Sequence, residues 1–332
     1  MAPELLEWVN MDGPTRLNND ILLSWPEHLS GFVTQATTSA QLLVRSFDEF
    51  LSAQNQSNPA MAAYRAVGFN TKATAALYPL SAMLPPVSRY FLLPEDRDKE
   101  QLLGRLAQAD PQQPNVGVMH ISNAADERGG FSMYVPEYYT GETVPLVFAL
   151  HGGSGHGRSF LWSWIKAARS KNAIIISPTS KDGTWSLMGP DIDSENLAAM
   201  LAYAREHWQI DPARLLLSGM SDGGTFSYVS GLQSASPFTH LAPCSASFHP
   251  MLVEVADHDR LQNLPVYLMH GALDWMFPVD VARTARQFLT SAGAQVEYRE
   301  IDNLSHTYPV EENPRILDWL NGALDANAVE QG

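Results

Sequence analysis

Ester or amide chemistry on a protein needs a nucleophile, a base to take its proton and an acid to steady that base, and this chain offers a spaced set of all three. The stretch LLLSGMSDGGTFSYVSG holds Ser221 inside G-x-S-x-G, running from Gly219 to Gly223. In that pattern a serine occupies a tight turn between a strand and a helix. The flanking glycines let the two backbones pass closely while the hydroxyl stays exposed. RLLLSG before it reads as a strand and TFSYVSGLQ after it as a helix, which is the required context. Five residues alone are also compatible with an ordinary strand-to-helix turn, so the assignment rests on finding a base.

A hydroxyl is a weak nucleophile until a neighbouring group takes its proton. Of the ten histidines, His306 in IDNLSHTYP follows the last strand-like run of the chain. His240 begins an earlier run, and His249 and His258 follow that same run, on the wrong connection for the base. His270 ends the next run and suits capping a backbone carbonyl. A histidine base needs a carboxylate to fix its tautomer. Asp274 in HGALDWMFP supplies one, whereas Asp280 lies inside VDVARTARQF, where an acid suits the first turn of a helix. The negative oxygen of a tetrahedral intermediate needs preorganised amides. The glycine-rich LHGGSGHG offers Gly153, with the Asp222 amide as the second donor, Gly152 for close approach and His151 to hold the loop. The same glycines do not make a dinucleotide or phosphate loop. With Gly153 and Gly155 in the first two places of G-x-G-x-x-G, Arg158 falls at the third, and no Lys-Ser or Lys-Thr pair follows.

The elements that must carry these residues are legible as eight short apolar runs: 116–122, 131–137, 144–150, 173–177, 214–219, 240–247, 265–271 and 296–301. The first two flank the hairpin-like NAADERGG and are expected to be antiparallel. The later ones are separated by amphipathic stretches such as SENLAAMLAYAREHW and VDVARTARQFLTSAG, long enough for crossover helices between parallel strands. The third and fourth are almost continuously apolar, as in a sheet covered on both faces. Residues 1–112 read differently, as helices cut by prolines. Leu43, Phe47, Phe50 and Leu51 recur at helical spacing, Pro85 and Pro86 precede one segment, and Pro94 precedes another whose Leu102, Leu103 and Leu106 share a face. DPQQPN at 110–115 reads as a linker. A helical region at 1–112, serving as cap, packing or interface element, and a catalytic domain at 113–332 are therefore expected.

Bulk properties limit the partners. A net charge of -15 over 332 residues disfavours nucleic acid and anionic membrane surfaces, which call for clustered Lys and Arg. No stretch approaches the roughly 20 apolar residues of a membrane span, and MAPELLEWVNMDGP lacks the layout of a secretory leader, so a cytoplasmic setting without stable membrane insertion is expected. The single cysteine, Cys244, lies in an apolar run, fits buried packing, and allows neither an internal disulfide nor a cysteine-built metal site.

With Ser221, Asp274 and His306 in that order and HGG after the third strand, residues 116–324 resemble the α/β-hydrolase superfamily. The phrases LHGG, DPARLLLSGMSDGG and HGALDWMFPVDVAR carry the likeness, which is to its branch of phospholipase/carboxylesterases, polyhydroxybutyrate-depolymerase-like and feruloyl-esterase-like serine esterases. The resemblance implies an α/β fold with a mostly parallel eight-stranded sheet flanked by helices, and an N-terminal helical extension. It implies hydrolysis of small to medium aliphatic or aromatic carboxylic esters through an acyl-enzyme, with no metal or organic cofactor and a small-molecule ester as partner. Asp222 departs from the Gln or Ala expected after the nucleophile in many relatives; two readings of its side chain stand, tuning polarity at the mouth of the site or simple solvation, of which solvation is slightly favoured. A serine peptidase or acyltransferase would use the same parts, and a non-catalytic ligand-binding relative is a further alternative. Trp162, Trp185, Trp275, Phe277 and His249 are candidate substrate contacts, beside the reading that each packs helix against sheet. A homo-oligomer is compatible with the sequence.

Overall fold

The computed structural model describes residues 26–110 and 113–322. Two of the linker residues expected at 110–115, together with both ends of the chain, lie outside them. The described residues form two compact units, one ending at Leu92 and the other starting at Leu93.

The first unit is built on helices α1 (Ser30–Ser52) and α2 (Pro59–Leu77), followed by the short α3 (Pro85–Tyr90). Asn58 starts α2, its Oδ1 accepting the Met61 amide at 3.1 Å, with Pro59 at the first helical position where a missing N–H costs nothing. Ser46 Oγ donates to the Ala66 carbonyl at 2.7 Å and Ser39 Oγ to the Ala73 carbonyl at 2.9 Å, so the two helices run antiparallel. Their seam uses small residues: Ala36, Ala40 and Ser46 on α1, Ala66 and Ala73 on α2, all buried. The larger Leu43, Phe47, Phe50 and Leu51 are only half-buried. Close backbone approach, not bulky interdigitation, makes this hairpin.

The second unit contains α4 (Glu100–Gln108), which sequence texture assigns to the N-terminal region. Its Leu102 is buried, and Arg105 pairs with Glu142 at 2.8 Å and stacks 4.1 Å over the Tyr138 ring, both in the second unit. These contacts explain why the compact units divide before α4 and not at 112/113.

The body of this unit is one eight-stranded sheet: β1 (Gly117–Ile121), β2 (Phe131–Val135), β3 (Val144–Leu150), β4 (Ile174–Pro178), β5 (Ile210–Met220), β6 (His240–Cys244), β7 (Pro265–Gly271) and β8 (Gln295–Ile301). The spatial order is β1-β2-β4-β3-β5-β6-β7-β8. Strand β2 runs antiparallel to β1 and β4, and the remaining pairs are parallel. All eight strand runs read from the sequence are present. Strand β5 begins earlier than its apolar run because Ile210 pairs with Val144 across a register shift. This is the α/β-hydrolase fold.

Every residue of β3 is buried, as are Ile174, Ile175 and Ile176 of β4, and each Val, Leu, Ile or Phe side chain among them contributes about 1.5–3 kcal/mol by leaving water. Helices α5 (Ile165–Lys171), α6 (Asp193–His207), α7 (Asp222–Gly231), α8 (Asp280–Ser291) and α9 (Asn313–Leu320) flank the sheet. Edge strand β8 alternates polar residues, and its Arg299 pairs with Glu312 at 3.2 Å, which discourages pairing with another chain. The connections leaving β3, β5, β7 and β8 all emerge at the carboxyl end of the parallel strands, where ligands bind in open α/β sheets.

Candidate active site

Strand β5 passes into α7 through a turn that leaves no room for a side chain at its crossing points. A Cβ added at Gly219 would lie 2.4 Å from the Gly223 backbone, and one at Gly223 would lie 2.5 Å from the carbonyls of Leu150 and His151. Both glycines are therefore steric necessities, and the second lets α7 press against the end of β3. Between them Ser221 adopts φ 55, ψ -119, a conformation that strains a residue with a side chain by about 1–3 kcal/mol. The turn is held by the Ser221 amide donating to the Cys244 carbonyl at 2.9 Å and by the Thr225 amide donating to the Ser221 carbonyl at 2.8 Å. Cys244 itself is buried, which pushes its thiol up to about 12, in keeping with a packing role.

The loops after β7 and β8 are stitched together. The Ala272 amide donates to the Ile301 carbonyl and the Leu273 amide to the Leu304 carbonyl, each at 2.9 Å. This brings Asp274 and His306 face to face. Ser221 Oγ lies 3.1 Å from His306 Nε2, and His306 Nδ1 lies 2.8 Å from Asp274 Oδ2. Asp274 is 8% exposed, and burial alone would raise its pKa. Hydrogen bonds from the Phe277 amide, the His306 ring and the Met276 amide outweigh that and hold it below the usual carboxylate range. An ionised Asp274 in turn requires the His306 tautomer with its proton on Nδ1, leaving Nε2 free to accept from Ser221.

His270 stands behind this pair, fully buried. Its Nε2 donates to the Phe277 carbonyl at 2.9 Å and sits 3.5 Å from Asp274 Oδ2, so it caps a carbonyl of the acid-bearing loop as its place at a strand end suggests. Asp280 starts α8 and pairs with Arg283 at 2.8 Å on the exposed surface, whereas the carboxylate on the His306 ring is that of Asp274.

The glycine turn after β3 lies beside the serine: a Cβ at Gly152 would meet Ser221 Cβ at 3.5 Å, an ordinary contact. Close approach is instead demanded at Gly157, where a Cβ would lie 2.1 Å from the Ser177 carbonyl. His151 holds the turn from inside. Its Nδ1 donates to the Gly152 carbonyl at 2.7 Å and its Nε2 accepts the Ser180 amide at 3.2 Å, and burial lowers its pKa to about 4. Arg128, which carries no motif signal in the sequence, braces the far end by donating to the Gly155, Ser180 and Asp182 carbonyls.

Two of the candidate substrate contacts stand beside the histidine. Trp275, 71% exposed, and Phe277, half-buried, make edge-on contacts with the His306 ring, their ring centres 6.1 Å and 5.5 Å from its own. Trp185 does not line an opening. It is 3% exposed, donates its indole N–H to the His151 carbonyl at 2.7 Å and stacks on Phe226, so it is a core residue that anchors the glycine turn. His249 is exposed at the turn after β6, where its Nδ1 accepts the Met251 amide at 3.2 Å. Trp162 is half-buried in a short turn at Leu161–Ser163. The Asp222 side chain is not simply solvated: its Oδ2 accepts from Thr184 Oγ1, a partner that no sequence pattern marks. Among the described residues no group of three or more His, Cys, Asp or Glu is arranged to hold a metal ion, and no helix is long and apolar enough to cross a membrane.

Residues 192–323 match the Phospholipase/Carboxylesterase family model, a span that includes Ser221, Asp274 and His306. A bifunctional acetylxylan esterase/xylanase of Neocallimastix patriciarum is 25% identical over 185 residues, covering 54% of this chain and 26% of that protein. The chain thus spans about a quarter of that curated relative. A crystal structure of a thermostable esterase aligns with TM-score 0.46 and 18% identity, covering 64% of this chain and 61% of the other. The substrate-bound fluorophosphonate-binding serine hydrolase F of Staphylococcus aureus aligns with TM-score 0.48 and 15% identity, covering 61% and 98%. The family match and the esterase relative support an α/β-hydrolase esterase family for this chain.

Proposed function

We propose that this protein is a serine carboxylesterase that hydrolyses small to medium aliphatic or aromatic carboxylic esters through an acyl-enzyme. The observation that carries the reading is the unbroken hydrogen-bonded chain from Ser221 Oγ through His306 to Asp274, at 3.1 and 2.8 Å. Ser221 Oγ attacks the ester carbonyl carbon while His306 Nε2 takes its proton, forming a tetrahedral intermediate. Asp274 keeps the ring oriented and stabilises the imidazolium. The main-chain N–H groups of Gly153 and Asp222 receive the oxyanion; Asp222 is the first residue of α7, so its amide has no acceptor within the helix. His306 returns the proton to the leaving alcohol. Water then repeats the sequence on the acyl-Ser221 ester, giving the free acid and restoring the hydroxyl.

Strain at Ser221 supports the same reading, since non-glycine residues held at such angles cluster at active sites. Trp275 and Phe277 form an apolar wall on the leaving-group side, next to the base. The name of the acetylxylan esterase relative places acetyl esters of a carbohydrate among the substrates worth measuring. The proposed cycle needs no bound cofactor. The test is kcat/KM on p-nitrophenyl esters of increasing acyl length and on an acetylated xylan, for the wild type and Ser221→Ala. Turnover of short esters that vanishes in the variant is the expected result. Equal turnover by both proteins would remove the proposal.

A further inference from the structure

The carboxylate of Asp222 is turned toward the glycine loop, not into solvent. A Cβ built on Gly153 would come 2.6 Å from Asp222 Oδ2 and 3.8 Å from Oδ1, so the carboxylate lies directly over the residue whose amide is assigned to the oxyanion. An acid at the first position of a helix usually caps or complements the first-turn amides. Here Asp222 does not cap: α7 has no side-chain cap, and Oδ2 is spent on the Thr184 hydroxyl. Thr184 is itself fixed, because its neighbour Trp185 donates to the His151 carbonyl and the Ser154 amide donates to the Gly183 carbonyl at 3.0 Å. The loop carrying Thr184 and the glycine turn are thus tied to each other, with the Asp222 carboxylate held by Thr184 beside Gly153. Among the described residues no Lys, Arg or His side chain forms an ion pair with it. Arg128, the cation that braces this loop, is occupied by the carbonyls of Gly155, Ser180 and Asp182.

We propose that Asp222 is a charge-selecting residue of the acyl site, favouring esters whose acyl group carries an ammonium or similar hydrogen-bond donor a few atoms from the carbonyl and rejecting acyl groups that carry a carboxylate. The inference rests on the proposed ester hydrolysis at Ser221. With its carbonyl oxygen on the Gly153 and Asp222 amides, a bound acyl group has its first carbons beside this half-buried carboxylate, whose Oδ1 still has acceptor capacity. A fixed charge at such range acts more strongly than a solvated surface charge, and the chain's net charge of -15 works in the same direction at longer range.

Three methyl esters of matched size separate the charges: β-alanine methyl ester (cationic), methyl butyrate (neutral) and monomethyl succinate (anionic), followed by pH-stat. The wild type is expected to favour the cationic over the anionic ester by about tenfold or more in kcat/KM, carried chiefly by KM. In Asp222→Asn, which keeps the backbone amide and an acceptor for Thr184, that ratio should fall by about tenfold, whatever the absolute rate on methyl butyrate. Asp222→Glu should keep a ratio above that of the Asn variant. If neither variant folds, the wild type still decides, because raising the salt concentration should narrow its cationic-to-anionic ratio while leaving the neutral ester's rate in place. A ratio near one in the wild type, or one unchanged in Asp222→Asn, overturns the proposal. Covalent labelling of Ser221 by a fluorophosphonate keeps the two readings apart: a protein that labels yet shows no charge preference loses only the role of Asp222, whereas one that fails to label loses both.

Discussion

Asp274 Oδ2 and His306 Nδ1 stand 2.8 Å apart, while Asp274 Oδ1 takes the amides of Met276 and Phe277 at 2.9 Å each. One carboxylate thus fixes both its own loop and the histidine ring. Asp274→Asn preserves size but lets the amide nitrogen face the ring and favours the wrong tautomer. We expect a loss of about 10³–10⁴-fold in kcat with little change in KM. Asp280→Asn, on the exposed start of α8, should stay within about twofold of wild type, in line with the small value of surface ion pairs. Comparable losses in the two variants would contradict the assignment of the acid.

Strain at the turn predicts a trade between stability and activity. Glycine adopts φ 55 without penalty, whereas alanine keeps the Cβ that strains it. Ser221→Gly should therefore be more stable than Ser221→Ala by about 1 kcal/mol, a Tm higher by about 2–4 °C, with both inactive. Calorimetry finding the alanine variant the more stable would refute stored strain here.

The candidate aromatic contacts separate by burial. Trp185→Ala removes a core side chain and the hydrogen bond to His151, and should cost about 3–5 kcal/mol. Trp275→Ala removes a ring that is mostly in solvent, should leave Tm within about 1 °C, and should raise KM for aryl esters by about threefold or more. A large Tm loss at Trp275 with no effect on KM would reverse these roles.

What the sequence made legible, and what it hid, follows from which signals act locally. The apolar runs of β3 and β4 and the G-x-S-x-G turn are local, and so is the placement of Asp280 at a helix start. Their spacing along the chain was enough to bring Ser221, Asp274 and His306 to one edge. The Asp222–Thr184 contact and the brace at Arg128 join loops far apart in sequence, and neither has a periodic signature. Trp185 looked like a wall residue because an aromatic on a site loop reads the same whether its ring turns outward or inward. The seam of the α1–α2 hairpin was hidden for the opposite reason: its alanines carry less hydrophobic signal than the half-buried Phe47 and Leu43 beside them.

His151 predicts a pH dependence of stability. Burial lowers its pKa from 6.5 to about 4, so the folded ring stays neutral while the unfolded ring takes a proton as pH falls below 6.5. The unfolded state binds more protons in that window, and stability is lost as pH drops from about 6.5 to about 4. From this group alone the loss is about 2 kcal/mol between pH 7 and pH 5. His151→Gln should lower Tm at pH 7 yet show a shallower decline toward pH 5. An equally steep decline in the variant would show that the ring does not carry this term.

The most direct measurement is fluorophosphonate labelling followed by intact-mass analysis and peptide mapping. A single adduct on Ser221 is predicted, absent in Ser221→Ala and formed about 10²-fold or more slowly in a folded His306→Ala variant, as loss of the general base requires. An adduct that persists in Ser221→Ala, or a wild type that takes none while a known serine esterase labels fully beside it, would contradict the account.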